Sequence, residues 1–583
     1  MSSNQFSSNE LQRWIFWQQW IKFCTFAETQ VKMRRYIYTI EGRLLDRVVK
    51  DYVDYMTNPL SRHRQDRDEF DSLFCSDGND DDNVPTPTPL KVDKYTGKTV
   101  IFNEHRPDER KARVKIQMIG DILYRAYLRS DDGVFNVRST VLKKVSDKYK
   151  YMLHVMSTNH IVSITRTYTE DNKYNKTLYS LCDPNQFHHL MVSSSVKKEV
   201  ERYDKWLDKK REESIKELIA ATSPQFVERY NKSLRKLTID EASAFEYIST
   251  KYATDIHSAR SREYVVRKIS QKQDIELSTI DDSGRLYHIG TQIQRDIKKF
   301  TNIRYSLDCK NSHPYLLTNI LLYYIVSDGQ LDIARNELGR KDISFLFYNL
   351  TKHLLNNSGI YVHNVFSDSI CKSLEQSKLR RHEVAKVHSL MERFQTVQDD
   401  VWRYIYDAAS GQVWDNFVPV NEDRTVVKQK IFASVIYSYA KRRNKKKESE
   451  DKWLRAFIAR YPSVYDCIVK IKRDIHEQCK ESGRIRKLNT PISFEINEYC
   501  TVEISTKDEV LLPTIMMSLE SEIFTEILRR LFNKRISCFG IHDAVVVLDE
   551  KKLSVEDIKN IMMDVYKSYG MLPTLSVERY SEG

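Results

Sequence analysis

Cys538-Phe-Gly-Ile-His-Asp-Ala-Val-Val-Val-Leu548 places a histidine and an aspartate one alanine ahead of three valines. A β-branched run of this kind reads as a buried strand. Its only strongly polar pair stands at the lip. Taken alone, that pair is most cheaply explained as a turn into a buried hairpin, with Asp543 a turn residue.

A second aspartate changes the weighing. In Arg304-Tyr-Ser-Leu-Asp-Cys-Lys-Asn-Ser-His-Pro-Tyr315 the pattern predicts a short strand ending at Asp308. Pro314 then breaks the chain, and an apolar helix starts at Tyr315. Two strand-edge aspartates far apart in sequence are what a two-metal phosphoryl-transfer site requires. The carboxylates flank Mg²⁺ ions about 3.5–4 Å apart, which activate the attacking oxygen and stabilise the leaving one. Mg²⁺ is content with one or two carboxylates, water and substrate phosphates.

A triphosphate also needs cations. The stretch 421–443 reads as a helix with Arg424, Lys428 and Phe432 at i, i+4 and i+8, on one face. Cations so placed hold β- and γ-phosphates, and the ring stacks on a base. Standing alone, this helix would read as a basic solvent face with Phe432 buried.

The order of these pieces resembles the palm and fingers of family A DNA polymerases and their relatives, the single-subunit phage-type RNA polymerases. Asp282-Ser-Gly-Arg-Leu-Tyr287 resembles T-G-R-L-S of the DNA enzymes and R-G-R-x-Y of the RNA enzymes. Asp308 in D-C-K-N-S-H resembles the metal-binding aspartate of D-Y-S-Q-I-E. Arg424, Lys428 and Phe432 resemble R-x-x-x-K-x-x-x-F of the fingers helix. Ser518–Leu528 resembles the helix before the last motif, His542-Asp543 its H-D, and Leu572–Glu578 the final palm strand. The resemblance spans roughly residues 280–583.

It implies an α+β chain: a right-hand polymerase with an antiparallel-sheet palm, helical fingers and thumb, plus a mixed α/β N-terminal region. The segments expected are a helical N-terminal region (1–75), an acidic, Pro-rich linker (76–95) and a mixed α/β domain (96–195). A thumb-like helical region (196–280), palm (281–325), fingers (326–500) and second palm segment (501–583) follow. Asp308 and Asp543 would hold two Mg²⁺ ions, with Mn²⁺ as a substitute, and Lys428 would join them in catalysis. Arg424, Lys428, Phe432, Tyr437 and His313 would bind the incoming nucleotide; Arg285 and His542 would contact primer and template.

The departures from the family pattern carry information. A tyrosine is expected eight residues after the fingers lysine, yet Ile436 stands there and Tyr437 follows. One extra residue rotates a side chain by about 100° on an ideal helix. Either a local bulge corrects this or the register differs, because Lys430-x3-Ser434-x2-Tyr437 matches a family B spacing. His313-Pro314 likewise lies where family B has Tyr-Pro. Ala544 replaces the glutamate of H-D-E, with Glu520 and Glu522 as candidates to compensate. The residue five places after Asp308 governs sugar choice in these families; bulky His313 favours deoxynucleotides, whereas G-R-L-Y leans toward the RNA enzymes.

The reading is a template-directed DNA polymerase that transfers nucleotides from dNTPs to a primer 3′-hydroxyl, suited to a phage, plasmid or other mobile element. One alternative is a single-subunit RNA polymerase or primase-like enzyme. Another is a polymerase-derived nucleic-acid-binding protein without catalysis.

Bulk properties accommodate this. At 583 residues the chain exceeds one core. The formal charge of +12, from 93 Lys and Arg against 81 Asp and Glu, suits a nucleic-acid channel and equally a mixed solvated surface. Nine scattered cysteines without a C-x-x-C pair argue against a disulfide framework or zinc ribbon and for an intracellular, cytoplasmic or nucleoid setting. No basic segment precedes the apolar start, which predicts no signal peptide. No 18-residue apolar run predicts a membrane span. Trp14, Phe16, Trp17 and Trp20 crowd a helical start, as a core face or a docking face for a replication partner. Short β-rich pieces are expected at Lys98–Phe102 and Met152–Tyr168, and a long charged helix from Val196 to Ala221. No paired D-x-E exonuclease pattern precedes residue 280.

Overall fold

The computed structural model describes residues 36–57, 91–92, 99–100, 108–130, 132–167, 176–281, 283–326, 340–417, 423–438, 443–481, 492–497, 500–504, 511–548 and 553–580. The aromatic start, most of the acidic linker, Asp282 and part of the basic run 441–447 lie outside them. Helix dominates, with small antiparallel sheets between. Two compact units form, residues 1–213 with 245–265, and residues 214–244 with 266–583.

In the first unit β1 (Tyr36–Ile40) leads into α1 (Gly42–Thr57) and, further on, α2 (Glu109–Arg129). Asp108 starts α2 by accepting hydrogen bonds from the Arg110 and Lys111 amides. There follow β2 (Val134–Phe135), α3 (Ser139–Val145), α4 (Tyr149–Thr158), β3 (Val162–Thr167), β4 (Lys176–Leu181) and β5 (Phe187–Met191). Strands β2, β4 and β3 make one antiparallel sheet, and β1 pairs with β5. The strand expected over Met152–Tyr168 is confined to its second half. Its first half is helix, because Met152, Leu153, Val155 and Met156 all bury on α4. The long charged helix α5 runs Ser194–Ala221 as the pattern predicts.

The second unit carries Asp308, Lys428 and Asp543. Its elements begin with α6 (Pro224–Arg235), α7 (Glu241–Lys251) and α8 (Ile256–Ser270), the stretch 245–265 belonging to the first unit. A small hairpin, β6 (Thr279–Ile280) with β7 (Leu286–Tyr287), precedes β8 (Tyr305–Cys309) and α9 (Ser312–Val326). Helix α9 starts three residues earlier than expected, since Pro314 falls in its first turn, where a missing N–H costs nothing. Apolar nearly all round, α9 packs among neighbouring helices with Leu317, Ile320 and Leu321 buried. Among the described residues no helix is long and apolar enough to cross a membrane.

Helices then run almost unbroken: α10 (Arg340–Asn356), α11 (His363–Glu375), α12 (Arg381–Arg393), α13 (Asp399–Ser410), α14 (Arg424–Ile431), α15 (Lys445–Glu450), α16 (Lys452–Arg460) and α17 (Pro462–Glu481). A hairpin of β9 (Ile492–Asn497) and β10 (Cys500–Ile504) precedes α18 (Leu511–Asn533). The chain closes with β11 (Cys538–Ile541), β12 (Ala544–Val547), α19 (Val555–Ser568) and β13 (Leu575–Arg579).

Strands β11, β12, β8 and β13 form one four-stranded antiparallel sheet in that order. Its register sets Tyr305 against Val547, Leu307 against Val545 and Asp308 against Ala544. Val545, Val546 and Val547 are fully buried, as are Tyr305 and Leu307. Each such apolar side chain stabilises the sheet by roughly 1.5–3 kcal/mol. The valine run is therefore the anchor of the strand that Asp543 precedes.

Candidate active site

Side chains alternate along β8, so Tyr305, Leu307 and Cys309 bury on one face while Ser306 and Asp308 project from the other. Across the sheet, β11 and β12 are joined by a two-residue loop, His542-Asp543, closed by the Ile541–Ala544 pair. His542 takes the left-handed backbone conformation, φ +52°, which few non-glycine residues adopt. The Cys309 amide donates to the Asp543 carbonyl at 3.3 Å, pinning that loop beside Asp308. Residues 235 positions apart in sequence thus become neighbours at one end of the sheet.

The two carboxylates feel each other. Burial, then the charge of Asp543, pushes Asp308 up to about 7, against the pull of Lys428. Burial, then the charge of Glu520, pushes Asp543 up to about 6, with Lys428 and His313 opposing. Among the described residues no group of three or more His, Cys, Asp or Glu side chains is arranged to hold a metal ion. The site is a pair of aspartates. Two desolvated carboxylates crowding one another are a donor set whose repulsion a divalent cation relieves, and they fit Mg²⁺, which completes its shell with water and phosphate oxygens.

Lys428 comes from α14, whose Asp423 cap accepts a hydrogen bond from the Thr425 amide. It is half-buried, with Nζ 5.8 Å from the Phe432 ring centroid, while Lys430 is exposed. The lysine acting on both aspartates is Lys428. The displaced tyrosine is explained here. After Ile431 the helix widens into a π-turn over Phe432–Ile436, and the Tyr437 amide donates to the Phe432 carbonyl at 2.8 Å. Five residues of α-helix would put Tyr437 roughly 140° away from Phe432. The π-turn absorbs the extra residue, so the two rings meet edge-on with centroids 5.7 Å apart. Lys472 on α17 donates to the Val435 carbonyl (2.6 Å) and the Ser438 carbonyl (2.9 Å), satisfying acceptors that the end of the helix leaves open.

Behind the aspartates lies a buried polar group that sequence reasoning only partly found. Glu520, on α18, is 2% exposed; it accepts a hydrogen bond from Ser312 Oγ at 2.6 Å and pairs with Arg285. Burial alone would raise its proton affinity, but His313, Arg285 and Ser312 override it and bring Glu520 down to about 2. Glu522, the other candidate for the carboxylate that Ala544 lacks, instead accepts from the Tyr569 hydroxyl at 3.1 Å. Arg285 reaches Glu520 from a tight turn between β6 and β7. There Asp281 Oδ1 accepts from the Ser283 and Arg285 amides, both at 3.0 Å, and Gly284 sits at φ +82°. A side chain on Gly284 would also press on Ser521, whose hydroxyl donates to the Gly284 carbonyl.

His313 touches Arg285 at 3.0 Å and Tyr437 at 3.5 Å, and meets Phe432 edge-on at 5.7 Å. His542 faces Tyr287, ring centroids 6.3 Å apart, and burial followed by the Arg285 charge lowers its proton affinity. Arg424 is engaged elsewhere: its Nε donates to Asp415 at 2.5 Å on the surface. The sequence-derived set thus gathers Asp308, Asp543, Lys428, Arg285, His313, Phe432, Tyr437 and His542 around one sheet end, with Arg424 facing outward. Lys472 and Ser312 carried no sequence signal. Glu520 carried one: an acid within the otherwise buried run Met516, Leu519, Ile523.

No protein-family model and no curated protein matches the chain. Among solved structures the chain is similar to the POL domain of Pol1 from M. smegmatis, in complex with DNA primer-template and dNTP. That match has 9% identity over 67% of this chain and 76% of the other, at a TM-score of 0.29. So distant a likeness decides neither fold nor activity.

Proposed function

We propose that the chain is a template-directed DNA polymerase, joining dNTPs to a primer 3′-hydroxyl. The observation that carries this reading is the meeting of Asp308, on β8, with Asp543, in the loop that opens the adjacent antiparallel strand β12, and Lys428 acting on both. Asp308 and Asp543 would hold the Mg²⁺ ions. When bound, such ions make the primer hydroxyl a better nucleophile and stabilise the departing pyrophosphate.

The protein's own groups do the rest. Lys428 supplies a positive charge where the triphosphate must lie. Phe432 and Tyr437, brought together by the π-turn, give an aromatic surface for the nascent base pair. His542, kept neutral, and Arg285 stand beside the carboxylates at the place of the primer terminus. Ordering these groups before the substrates arrive is what lowers the barrier to an in-line displacement. The contact of Arg424 with Asp415 would have to open for Arg424 to reach phosphate.

The test is extension of a primed DNA template with dNTPs in the presence of Mg²⁺. Stepwise, template-matched addition is expected. Tight binding of the primed template with no extension would instead favour a binding protein, and a preference for rNTPs an RNA polymerase.

A further inference from the structure

His313 lies in the first turn of α9, five residues beyond Asp308, and only 14% of its side chain is exposed. Its ring is gripped from several sides. Arg285 Nη2 is 3.0 Å from Nε2, Glu520 Oε1 is 3.5 Å from the same nitrogen, and the Tyr437 hydroxyl is 3.5 Å from Nδ1. Phe432 closes on it at 86°.

Glu520 joins these groups. One carboxylate oxygen takes the Ser312 hydroxyl and faces His313, and the other takes Arg285. A single buried side chain on α18 therefore links the first turn of α9 to the β6–β7 turn. Both oxygens are thus engaged by the protein's own side chains. Its place in the structure is to hold its neighbours.

We propose that Glu520 is a positioning residue for sugar selection. By holding Arg285 and His313 as one unit, it sets the His313 ring and the Tyr437 phenol as a rigid wall against the 2′ position of the incoming nucleotide, admitting deoxyribonucleotides and excluding ribonucleotides. The inference rests on the polymerase reading above. Excluding one hydroxyl requires a wall that does not yield, and a histidine free to rotate would yield. A neutral glutamine keeps the volume at 520 but presents an amide N–H₂ where one carboxylate oxygen now accepts, so it loses a charge-assisted contact and loosens the ring.

The experiment measures kcat/KM for single addition of a dNTP and its matching rNTP to a primed DNA template. The proteins compared are wild type, Glu520→Gln, His313→Ala and the double variant. The dNTP/rNTP ratio is expected to fall at least tenfold in Glu520→Gln and further in His313→Ala. The double variant should match His313→Ala alone, because Glu520 acts through His313. If Glu520→Gln lowers both substrates in proportion, its role is structural and the proposal is overturned. It is also overturned if Glu520→Gln lowers the ratio by the same factor again in the His313→Ala background. Ser312→Ala, which removes the 2.6 Å hydrogen bond while leaving the charges in place, reads the same hold if Glu520→Gln fails to fold: a lowered ratio supports the proposal and an unchanged one contradicts it. A wild-type protein that extends with neither nucleotide contradicts the polymerase reading itself, an outcome distinct from extension with an unaltered ratio.

Discussion

Asp308 holds its proton far more tightly than an ordinary aspartate, and the cause is burial beside Asp543. The consequence for stability has a definite sign. With a folded pKa of about 7 against an ordinary 3.8, the folded state binds more protons than the unfolded one between those values. Stability therefore declines as pH rises through that window, and at neutral pH the charged pair strains the metal-free fold. Asp308→Asn should raise the stability of the metal-free protein at pH 8 by about 1–3 kcal/mol, with less gain at pH 5. Thermal melts in EDTA at the two pH values check this; equal gains at both would contradict it. The aspartates themselves were readable in the sequence because each ends or opens a recognisable strand. Glu520 was only half readable: an acid in a buried helical run signals a partner, but nothing in the chain says that the partners are Arg285 and His313.

Helix α14 and the π-turn after it show how an irregular element hides from a periodic reading. Arg424, Lys428 and Phe432 obey helical spacing, and Tyr437 breaks it by one residue. The carbonyls of Val435 and Ser438 at the π-turn are met by Lys472, 37 and 34 residues further on, so local sequence leaves bulge and register shift undecided. Tertiary contacts also fix strand β11. His288, fully buried, accepts from the Gly290 amide at Nδ1 and lies 2.9 Å from both the Tyr230 hydroxyl and the Gly540 carbonyl at Nε2. Gly290 must be glycine, since a Cβ would lie 2.8 Å from His288 and Phe539. Burial lowers His288 to about 4, so it stays neutral in the fold while the unfolded chain protonates near 6.5. Its contribution is complete above pH 6.5 and is lost as pH falls toward 4, at most about 3 kcal/mol. Denaturant midpoints across pH 4–7 should show this loss, and His288→Gln should flatten it. A wild-type profile as flat as that of the variant would contradict the assignment.

Across the chain, the second unit was far more legible than the first. Its strands and helices carry chemistry-bearing residues in a recognisable order, whereas the first unit offers only hydrophobic periodicity. The misjudged start of Met152–Tyr168 shows the limit of that signal: a short apolar run suits helix and strand alike, and packing on α4 decides. The net charge of +12 belongs to the chain as a whole and bears on how it meets a polyanion. If primed DNA is the partner, counterion release governs affinity, and six phosphate contacts alone imply a loss of about 10³-fold between 50 and 200 mM salt. Fluorescence anisotropy with a labelled primer-template should show a steep linear fall of log affinity with log salt; a slope near zero would argue against a phosphate-gripping surface.

The claim on which everything else depends is that Asp308 and Asp543 act as one catalytic centre. Single-turnover extension of a primed template with dNTPs and Mg²⁺, using Asp308→Ala, Asp543→Ala and the double variant, tests it directly. Each single substitution should slow extension by about 10³-fold or more, with little further loss in the double variant, because groups acting as a unit are not additive. Extension at near wild-type rate by either single variant would contradict the account.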